Sequence, residues 1–293
     1  MQVSFSSWFQ ELFSNFRGLF DVFWSLCTFF GEEYFFVLIL ATIYWIYNKR
    51  LATILAITYT SACAFSIGLK DMCRIKRPIS DESVRFVEID NIFINTKDLS
   101  LTYSFPSKHA LAIASVAGGL SLNIKNKKIW IGSIILVIFV CLSRIYLGVS
   151  FILDVSIGAL LGVSVGYLMY RLFIKLENKY MIIYAIPIVL SLISLIIERD
   201  ISSFKLVGAV LGITTGALIE HKFINFDPSE GSTFKKVLRA VIGLIILIAL
   251  KEGLKYLFNL VNDEILIFHS IRYFVVAMYI VALYPFIFKK IKL

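Results

Sequence analysis

Residues 129–147 read IWIGSIILVIFVCLSRIYL, an apolar run that carries no charged side chain before Arg144. A helix needs roughly 20 consecutive apolar residues to cross the hydrocarbon core of a bilayer, and this run has about that length. Lipid offers no hydrogen bonds to an exposed backbone, so a run that spans a membrane in this way is helical. The stretch therefore predicts a transmembrane helix with one cation near its C-terminal end.

Runs of the same kind recur along the whole chain. Hydrophobic residues make up 59% of the sequence and charged residues only 17%, which is more apolar than a soluble domain could bury. The sequence therefore predicts an all-α, polytopic helical membrane protein with about nine transmembrane helices. The predicted spans are 33–47, 51–69, 107–123, 129–147, 152–172, 180–197, 204–220, 236–258 and 265–288.

The pattern divides the chain into three parts. Residues 1–32 mix many aromatic side chains with charged ones, which is typical of an amphipathic helix at the membrane interface. We expect residues 33–175 to form a transmembrane core and residues 176–293 to add an extension of four transmembrane helices.

Glycines recur every four residues in two segments, 158–166 and 208–216. This spacing lines one face of a helix with small residues and lets a neighbouring helix approach closely in lipid. We therefore predict two tight helix contacts. The extension also carries ionisable residues, among them Lys251, His269 and Arg272, which suit either interhelical ion pairs or a functional site.

The distribution of Lys and Arg predicts the orientation in the membrane. The formal net charge is +9, but the cations lie in short loops between apolar runs, which argues against nucleic acid as a partner. Short loops rich in Lys and Arg face the cytoplasm. The cytoplasmic set is Lys49, Arg50, Lys125, Lys127, Lys128, Arg171, Lys175, Lys179, Lys222, Lys235, Lys236, Arg239, Lys289, Lys290 and Lys292. Residues 70–77 then lie on the non-cytoplasmic side, and we expect a plasma membrane of bacterial type.

Cations also occur at helix ends on that non-cytoplasmic side. Lys70 and Arg77 follow the second predicted span, and Arg144 ends the fourth. A single Arg at a helix end is commonly an interfacial anchor. Several such groups on different segments, however, could surround a phosphate, because guanidinium groups bind phosphate oxygens in pairs and an ammonium adds a point charge.

The start of the third predicted span has complementary chemistry. Ser107 directly precedes this helix, whose free N–H groups and positive dipole end favour an anion. His109 lies in the first turn, where it could donate a proton to a leaving oxygen. A third segment, from Ser143 to Asp154, joins the next two spans on the same side. Together the three segments predict a site for a phosphate ester.

These segments resemble the signature of the type 2 phosphatidic acid phosphatase superfamily, which includes undecaprenyl pyrophosphate phosphatases, glucose-6-phosphatase and vanadium haloperoxidases. That signature is Lys, six residues, Arg-Pro, then Pro-Ser-Gly-His, then Ser-Arg, five residues, His, three residues, Asp. The matching positions are Lys70, Arg77, Pro78, Pro106, Ser107, His109, Ser143, Arg144 and Asp154. The resemblance covers about residues 50–170 and implies a phosphatase helix bundle as the core.

The resemblance also implies roles for these residues. His109 would protonate the leaving group, and Asp154 would orient a histidine that attacks phosphorus. The positions implied to bind phosphate are Lys70, Arg77, Ser107 and Arg144. Because cationic side chains supply the charge neutralisation, we expect no metal ion and no cofactor.

The chain departs from the family signature at two positions. Ser150 occupies the place of the nucleophilic histidine, and Lys108 replaces the glycine of Pro-Ser-Gly-His, where it would add to phosphate binding. Asp154, four residues after Ser150, is expected on the same helical face and could accept a hydrogen bond from it. A neutral Lys108 acting as base for Ser150 is an alternative.

The leading hypothesis is a membrane phosphatase that hydrolyses the phosphate or pyrophosphate of a lipid and is impaired by Ser150. Its substrate class would be phosphatidate, phosphatidylglycerophosphate or a polyprenyl pyrophosphate, and its partners are membrane lipids. One alternative is a catalytically silent relative that binds or moves a phospholipid. Another is transport of a small phosphorylated anion, which the charged residues of the extension would suit.

Overall fold

The computed structural model describes residues 2–96, 102–176, 179–262 and 265–291. Within these ranges the regular structure is helical, and no β-strand occurs apart from a single bridge between Asp90 and Asn95. The prediction of an all-α protein is therefore confirmed.

The helices follow the predicted spans closely. They are α1 (Gln2–Glu11), α2 (Arg17–Phe29), α3 (Glu33–Ile46), α4 (Lys49–Cys73), α5 (Lys108–Ile124), α6 (Lys127–Tyr146), α7 (Ile152–Lys175), α8 (Tyr180–Ile197), α9 (Ile201–Ile219), α10 (Thr233–Val261), α11 (Leu266–Met278) and α12 (Tyr284–Lys290). A π-helical stretch, Tyr279–Leu283, joins the last two.

Length and apolarity identify fewer membrane spans than the sequence predicts. In the described part of the chain, five helices are long and apolar enough to cross a bilayer. A sixth span results if Ser14–Phe29 and Glu33–Ile46, which meet at a 50° bend, are counted as one broken span. The protein is thus a polytopic helical membrane protein, while the count of nine crossings stays a prediction.

Contacts group the helices into two compact units. The first consists of residues 1–36 and 65–174, and the second of residues 37–64 and 175–293. All residues of the predicted phosphate site belong to the first unit. The functional division into a core and an extension stays a prediction.

The N-terminal segment of the first unit forms two helices instead of the single amphipathic helix that we predicted. A 3₁₀ turn, Ser14–Phe16, separates α1 from α2. Both helices pack against α6 through aromatic rings, since Phe9 of α1 and Trp24 of α2 lie 6.5 Å and 5.8 Å from Tyr146 between ring centroids. The segment is therefore integrated into the first unit, and its placement at the membrane interface stays a prediction.

Polar contacts fix the N-terminal segment as well. Gln10 Nε2 donates to the carbonyl oxygens of Arg85 and Tyr146, at 2.6 Å and 2.7 Å. Asp21 forms an ion pair with Arg85 and accepts a hydrogen bond of 2.8 Å from the Tyr146 hydroxyl. Hydrogen bonds to this carboxylate raise the pKa of Arg85 above its ordinary value, so the guanidinium stays charged.

The first glycine segment makes the tight helix contact that we predicted, and the neighbouring helix is α5. A Cβ atom at Gly158 would lie 2.9 Å from the Ser107 carbonyl oxygen, and one at Gly166 would lie 2.5 Å from that of Ser115. Real Cβ atoms essentially never come within 3.0 Å of a heavy atom to which they are not connected through the neighbouring chain. These small residues therefore let α7 lie directly against the start of α5, where Ser107 stands.

The second glycine segment makes the corresponding contact between α9 and α11. A Cβ at Gly208 would collide with the backbone of Ser270. Near this contact, the side chains of Lys251 and Arg272 are buried, and both cations lie close to the Tyr273 ring, at 5.7 Å and 5.2 Å from its centroid. The second unit thus holds buried cations within its helices.

Candidate functional site

The cations of the first signature segment are held by backbone carbonyls of other segments. Lys70, in the last turn of α4, donates to the carbonyl oxygen of Tyr103. Arg77 donates to the carbonyl of Val149 at 2.6 Å, and to the carbonyl and hydroxyl oxygens of Thr102 at 2.9–3.2 Å. In the described ranges these bonds use three of its five N–H groups. Arg77 thus ties the loop before α5 to the turn before α7 and keeps further donors.

Arg144, in the last turn of α6, is the most completely buried of the predicted phosphate ligands, with a relative exposure of 1%. Its Nη1 donates to the hydroxyl of Thr28 at 2.9 Å. Its Nε has no hydrogen-bond partner within the part of the chain that the structure describes. A buried guanidinium with an unsatisfied donor is costly unless an anion completes its contacts.

The start of α5 lies beside the start of α7. Ser107 is the N-cap residue of α5, and its backbone N–H donates to the carbonyl oxygen of Asp154 at 3.0 Å. The Ser107 side chain makes no capping bond, although an N-cap hydroxyl commonly does. Lys108 is the first helical residue and is half-buried. The hydroxyl and the first turn of α5 are therefore the groups that an anion would meet here.

The turn between α6 and α7 positions Ser150. Gly148 has a φ of +72°, and a Cβ there would lie 2.5 Å from the Arg85 carbonyl oxygen, so the turn requires glycine. The backbone N–H of Ser150 donates to the carbonyl oxygen of Arg144 at 3.3 Å, and its side chain is buried.

Asp154 is held differently from our prediction. Its Oδ2 accepts a hydrogen bond of 2.7 Å from the backbone N–H of Phe151 and so caps the start of α7. Ser150 precedes this helix, so the prediction that the two share a helical face is wrong. The carboxylate thus caps the helix that directly follows the turn with Ser150.

His109 has a partner that the sequence reasoning missed. Its Nε2 lies 2.8 Å from Oε1 of Glu32, in the turn between α2 and α3. Both side chains are largely buried, with relative exposures of 14% and 18%. Glu32 and Glu33 interrupt an apolar stretch of phenylalanines, and ionisable residues inside such a stretch are a signal of function. Thr28, the partner of Arg144, carries no such signal, because a threonine in an apolar helix is common.

The predicted residues of all three segments lie near one another. Lys70 lies within electrostatic range of Arg77, Lys108, Arg144 and Asp154. Glu32 interacts electrostatically with His109, Arg144 and Lys108. The structure therefore brings together cations from α4, α5 and α6, while the roles assigned to them stay predictions.

Comparison with known proteins identifies the family. The PAP2 superfamily model matches residues 51–177, and the model described as PAP2 superfamily phosphatase, transmembrane extension, matches residues 204–293. Sphingosine-1-phosphate phosphatase 1 of Rattus norvegicus is 26% identical over 264 residues, which cover 77% of this chain and 57% of that protein. Undecaprenyl-diphosphatase of Sulfolobus acidocaldarius is 44% identical over 66 residues, which cover 22% of this chain and 32% of that protein.

The human sphingosine-1-phosphate phosphatase 2 is also similar, at 25% identity over 210 residues that cover 66% of this chain and 50% of that protein. The chain thus spans about half the length of the sphingosine-1-phosphate phosphatases that it matches. No solved structure matches it significantly. The two family matches together take up most of the sequence and include every signature position named above, and the chain belongs to the PAP2 superfamily of type 2 phosphatidic acid phosphatases.

Proposed function

We propose that this protein binds the phosphate or pyrophosphate group of a membrane lipid, at the non-cytoplasmic surface, in a site built for its hydrolysis. The observation that carries the proposal is Arg144, which is fully buried among other cations and has an unsatisfied Nε–H. Lys70, Arg77 and Lys108 add positive charge around it. Such a group of cations is stabilised by a polyanion, and a phosphate ester is the polyanion that the family signature implies.

A lipid is the substrate class that the surroundings favour. The relatives described above are named for sphingosine 1-phosphate and for undecaprenyl diphosphate, which are both phosphorylated lipids. A site at the ends of apolar helices suits a substrate whose hydrocarbon tail stays in the bilayer while its head group enters the protein. Arginine and lysine side chains would neutralise the phosphate, as the resemblance implies.

The chemistry divides between an acid that the chain keeps and a nucleophile that it lacks. His109 remains in place to protonate a leaving oxygen. A serine hydroxyl attacks phosphorus poorly unless a base removes its proton. Asp154 is the neighbouring carboxylate, but it accepts the backbone N–H of Phe151 and orients the turn. We therefore expect the chain to bind phosphate and to turn over slowly or not at all.

Restoring the histidine tests this proposal. We expect Ser150→His, alone and together with Lys108→Gly, to raise phosphate release by at least about a hundredfold, on the scale of regaining a catalytic nucleophile. The substrates to compare are sphingosine 1-phosphate, phosphatidate, phosphatidylglycerophosphate, undecaprenyl diphosphate and, as a soluble control, glucose 6-phosphate. Ser150→Ala is the matched control and should stay as slow as the unaltered chain. Hydrolysis by the unaltered chain at ordinary enzyme rates, unaffected by Ser150→Ala, would contradict the proposal.

A silent lipid-binding protein is the second candidate function. The observation that favours it is the pair of departures at Lys108 and Ser150, since one adds a cation to the site while the other removes the nucleophile. Under this alternative, Ser150→His gains no activity on any of the lipids, but the unaltered chain still binds inorganic phosphate or vanadate. Measuring binding and turnover on the same preparations separates the two functions.

A further inference from the structure

Two residues of the candidate site receive polar partners from the N-terminal segment. Thr28 accepts a hydrogen bond from Arg144, and Glu32 contacts His109. Both partners lie before residue 51, where the match to the PAP2 superfamily model begins. The family signature therefore does not include them, and the contacts come from the fold of this chain.

We propose that Glu32 is a positioning residue that holds the imidazole of His109 through its Nε2–H and favours the charged form that its role as acid requires. This inference rests on the proposed function, because it concerns the same site. It adds residues 28–32 to that site, and the turn between α2 and α3 then serves to position His109.

The geometry of the contact determines which nitrogen remains available. An ionised carboxylate can only accept hydrogen bonds, so at 2.8 Å the Nε2 of His109 donates to Oε1 of Glu32. An imidazolium ion has two N–H donors. With Nε2–H held by Glu32, Nδ1–H is the donor left to reach a leaving oxygen. Glu32 thus fixes both the orientation of the ring and the position of the transferable proton.

The charges around His109 explain why a carboxylate is needed. Burial favours the neutral form of the imidazole, and so do Arg144 from α6 and Lys108 from α5, which face the ring. Glu32, from the turn between α2 and α3, is the carboxylate that faces it and favours the charged form. In a site that must be cationic to bind phosphate, Glu32 opposes these effects on the acid. The carboxylate exerts this effect from within electrostatic range of Arg144 and Lys108.

The backbone next to Glu32 fits the ring closely. A Cβ at Gly31 would lie 2.9 Å from Cδ2 and 3.0 Å from Cβ of His109. The turn is closed by hydrogen bonds from the N–H groups of Gly31 and Glu32 to the carbonyl oxygens of Thr28 and Phe29. Residue 31 therefore has to be small for the imidazole to lie against the turn while its Nε2 reaches the carboxylate.

A titration of each histidine tests the inference without any need for turnover. Exchange of the imidazole Cε1 hydrogen for deuterium, followed across pH by mass spectrometry of the full-length chain, gives a titration midpoint for every histidine. We expect the midpoint of His109 to fall by about one pH unit or more in Glu32→Gln, because an opposite charge at this distance is lost. His221 and His269 serve as references within the same chain and should not change.

Control variants separate this role from a structural one. Glu11→Gln removes an exposed carboxylate from the same N-terminal segment and should leave the His109 midpoint where it was. Glu32→Asp keeps the negative charge, so its His109 midpoint should lie between those of Glu32→Gln and the unaltered chain. If Glu32→Gln does not fold, Gly31→Ala replaces it, since an added methyl group pushes the imidazole away from the carboxylate and should also lower the midpoint. An unchanged midpoint in whichever of these two variants folds would overturn the inference.

Activity provides a second readout in the Ser150→His background. There we expect Glu32→Gln to lower kcat at least about tenfold with little change in KM, and to move the alkaline limb of the pH profile to lower pH. A uniform loss at every pH, without movement of the limb, would show a structural role and overturn the inference. If Ser150→His has no activity, the proposed hydrolysis fails, but the histidine titration still decides whether Glu32 governs His109.

Discussion

At the scale of single residues, Arg144 is a buried guanidinium close to other cations. It is almost fully buried in the first unit, one nitrogen reaches the hydroxyl of Thr28, and Nε has no partner among the described residues. Proteins rarely leave a buried charged donor unsatisfied, because the desolvation cost is then not offset. We therefore expect a bound anion to complete the contacts of Arg144.

We expect Arg144→Ala to weaken the binding of inorganic phosphate and vanadate about tenfold or more, since removal of a charge-assisted contact costs about 1.5 to 3 kcal/mol. Titration of the purified protein with each anion measures the change. Arg171→Ala is a suitable control, because Arg171 is an exposed cation at the far end of α7. Equal affinities in the unaltered chain and in Arg144→Ala would remove Arg144 from the site.

At the scale of helices, the glycines of α7 determine where the start of α5 lies. A Cβ at Gly162 would collide with the Leu111 carbonyl oxygen, and Gly158 makes the same kind of contact with Ser107. Small residues let helices approach closely in lipid, where van der Waals packing replaces the hydrophobic effect between them. The contact thus connects a packing pattern that is visible in the sequence to the position of a phosphate ligand.

We expect Gly162→Leu to destabilise the protein by about 1 to 3 kcal/mol or more, because the new side chain has no room between α5 and α7. Its melting temperature in detergent should fall, and phosphate affinity should fall with it as Ser107 is displaced. Gly132→Leu in α6 is the matched control, since a Cβ there meets no atom within 4 Å. A melting temperature for Gly162→Leu as high as that of the control would contradict the packing argument.

The helices and the site differ in how far the sequence could predict them. Apolar run length and glycine spacing are local properties, so they predicted the helix positions and a tight contact at each glycine segment, but not which helix makes that contact. Spacing within the signature likewise predicted Lys70, Arg77 and Arg144 as phosphate ligands, and that role stays a prediction. The partner of His109 depends instead on how the chain folds back, since Glu32 and His109 lie 77 residues apart. The prediction placed Ser150 and Asp154 on one helical face, but α7 begins at Ile152 and the Asp154 carboxylate accepts the backbone N–H of Phe151.

At the scale of the whole molecule, the distribution of Lys and Arg predicts that the site faces away from the cytoplasm. Cysteine labelling in sealed cells tests this, in a background where the exposed Cys73 is first changed by Cys73→Ser. We expect Ser80→Cys to react with an impermeant reagent from outside and Asn126→Cys to react only after permeabilisation. Both positions are exposed in the structure. The reverse pattern of labelling would show that the orientation is inverted.

The contacts of Thr28 and Glu32 also set limits on how this protein can be cut and recombined. A fragment that begins at residue 51 would contain every signature position of the PAP2 match yet would lack the hydroxyl beside Arg144 and the carboxylate beside His109. A chimera that takes only residues 51–177 from a relative would combine the relative's catalytic acid with the turn of this chain that carries Glu32. That turn fits His109 of this chain and not the acid of the relative. Chimeras that include residues 28–32 together with the core should therefore keep function more often than chimeras that begin at residue 51.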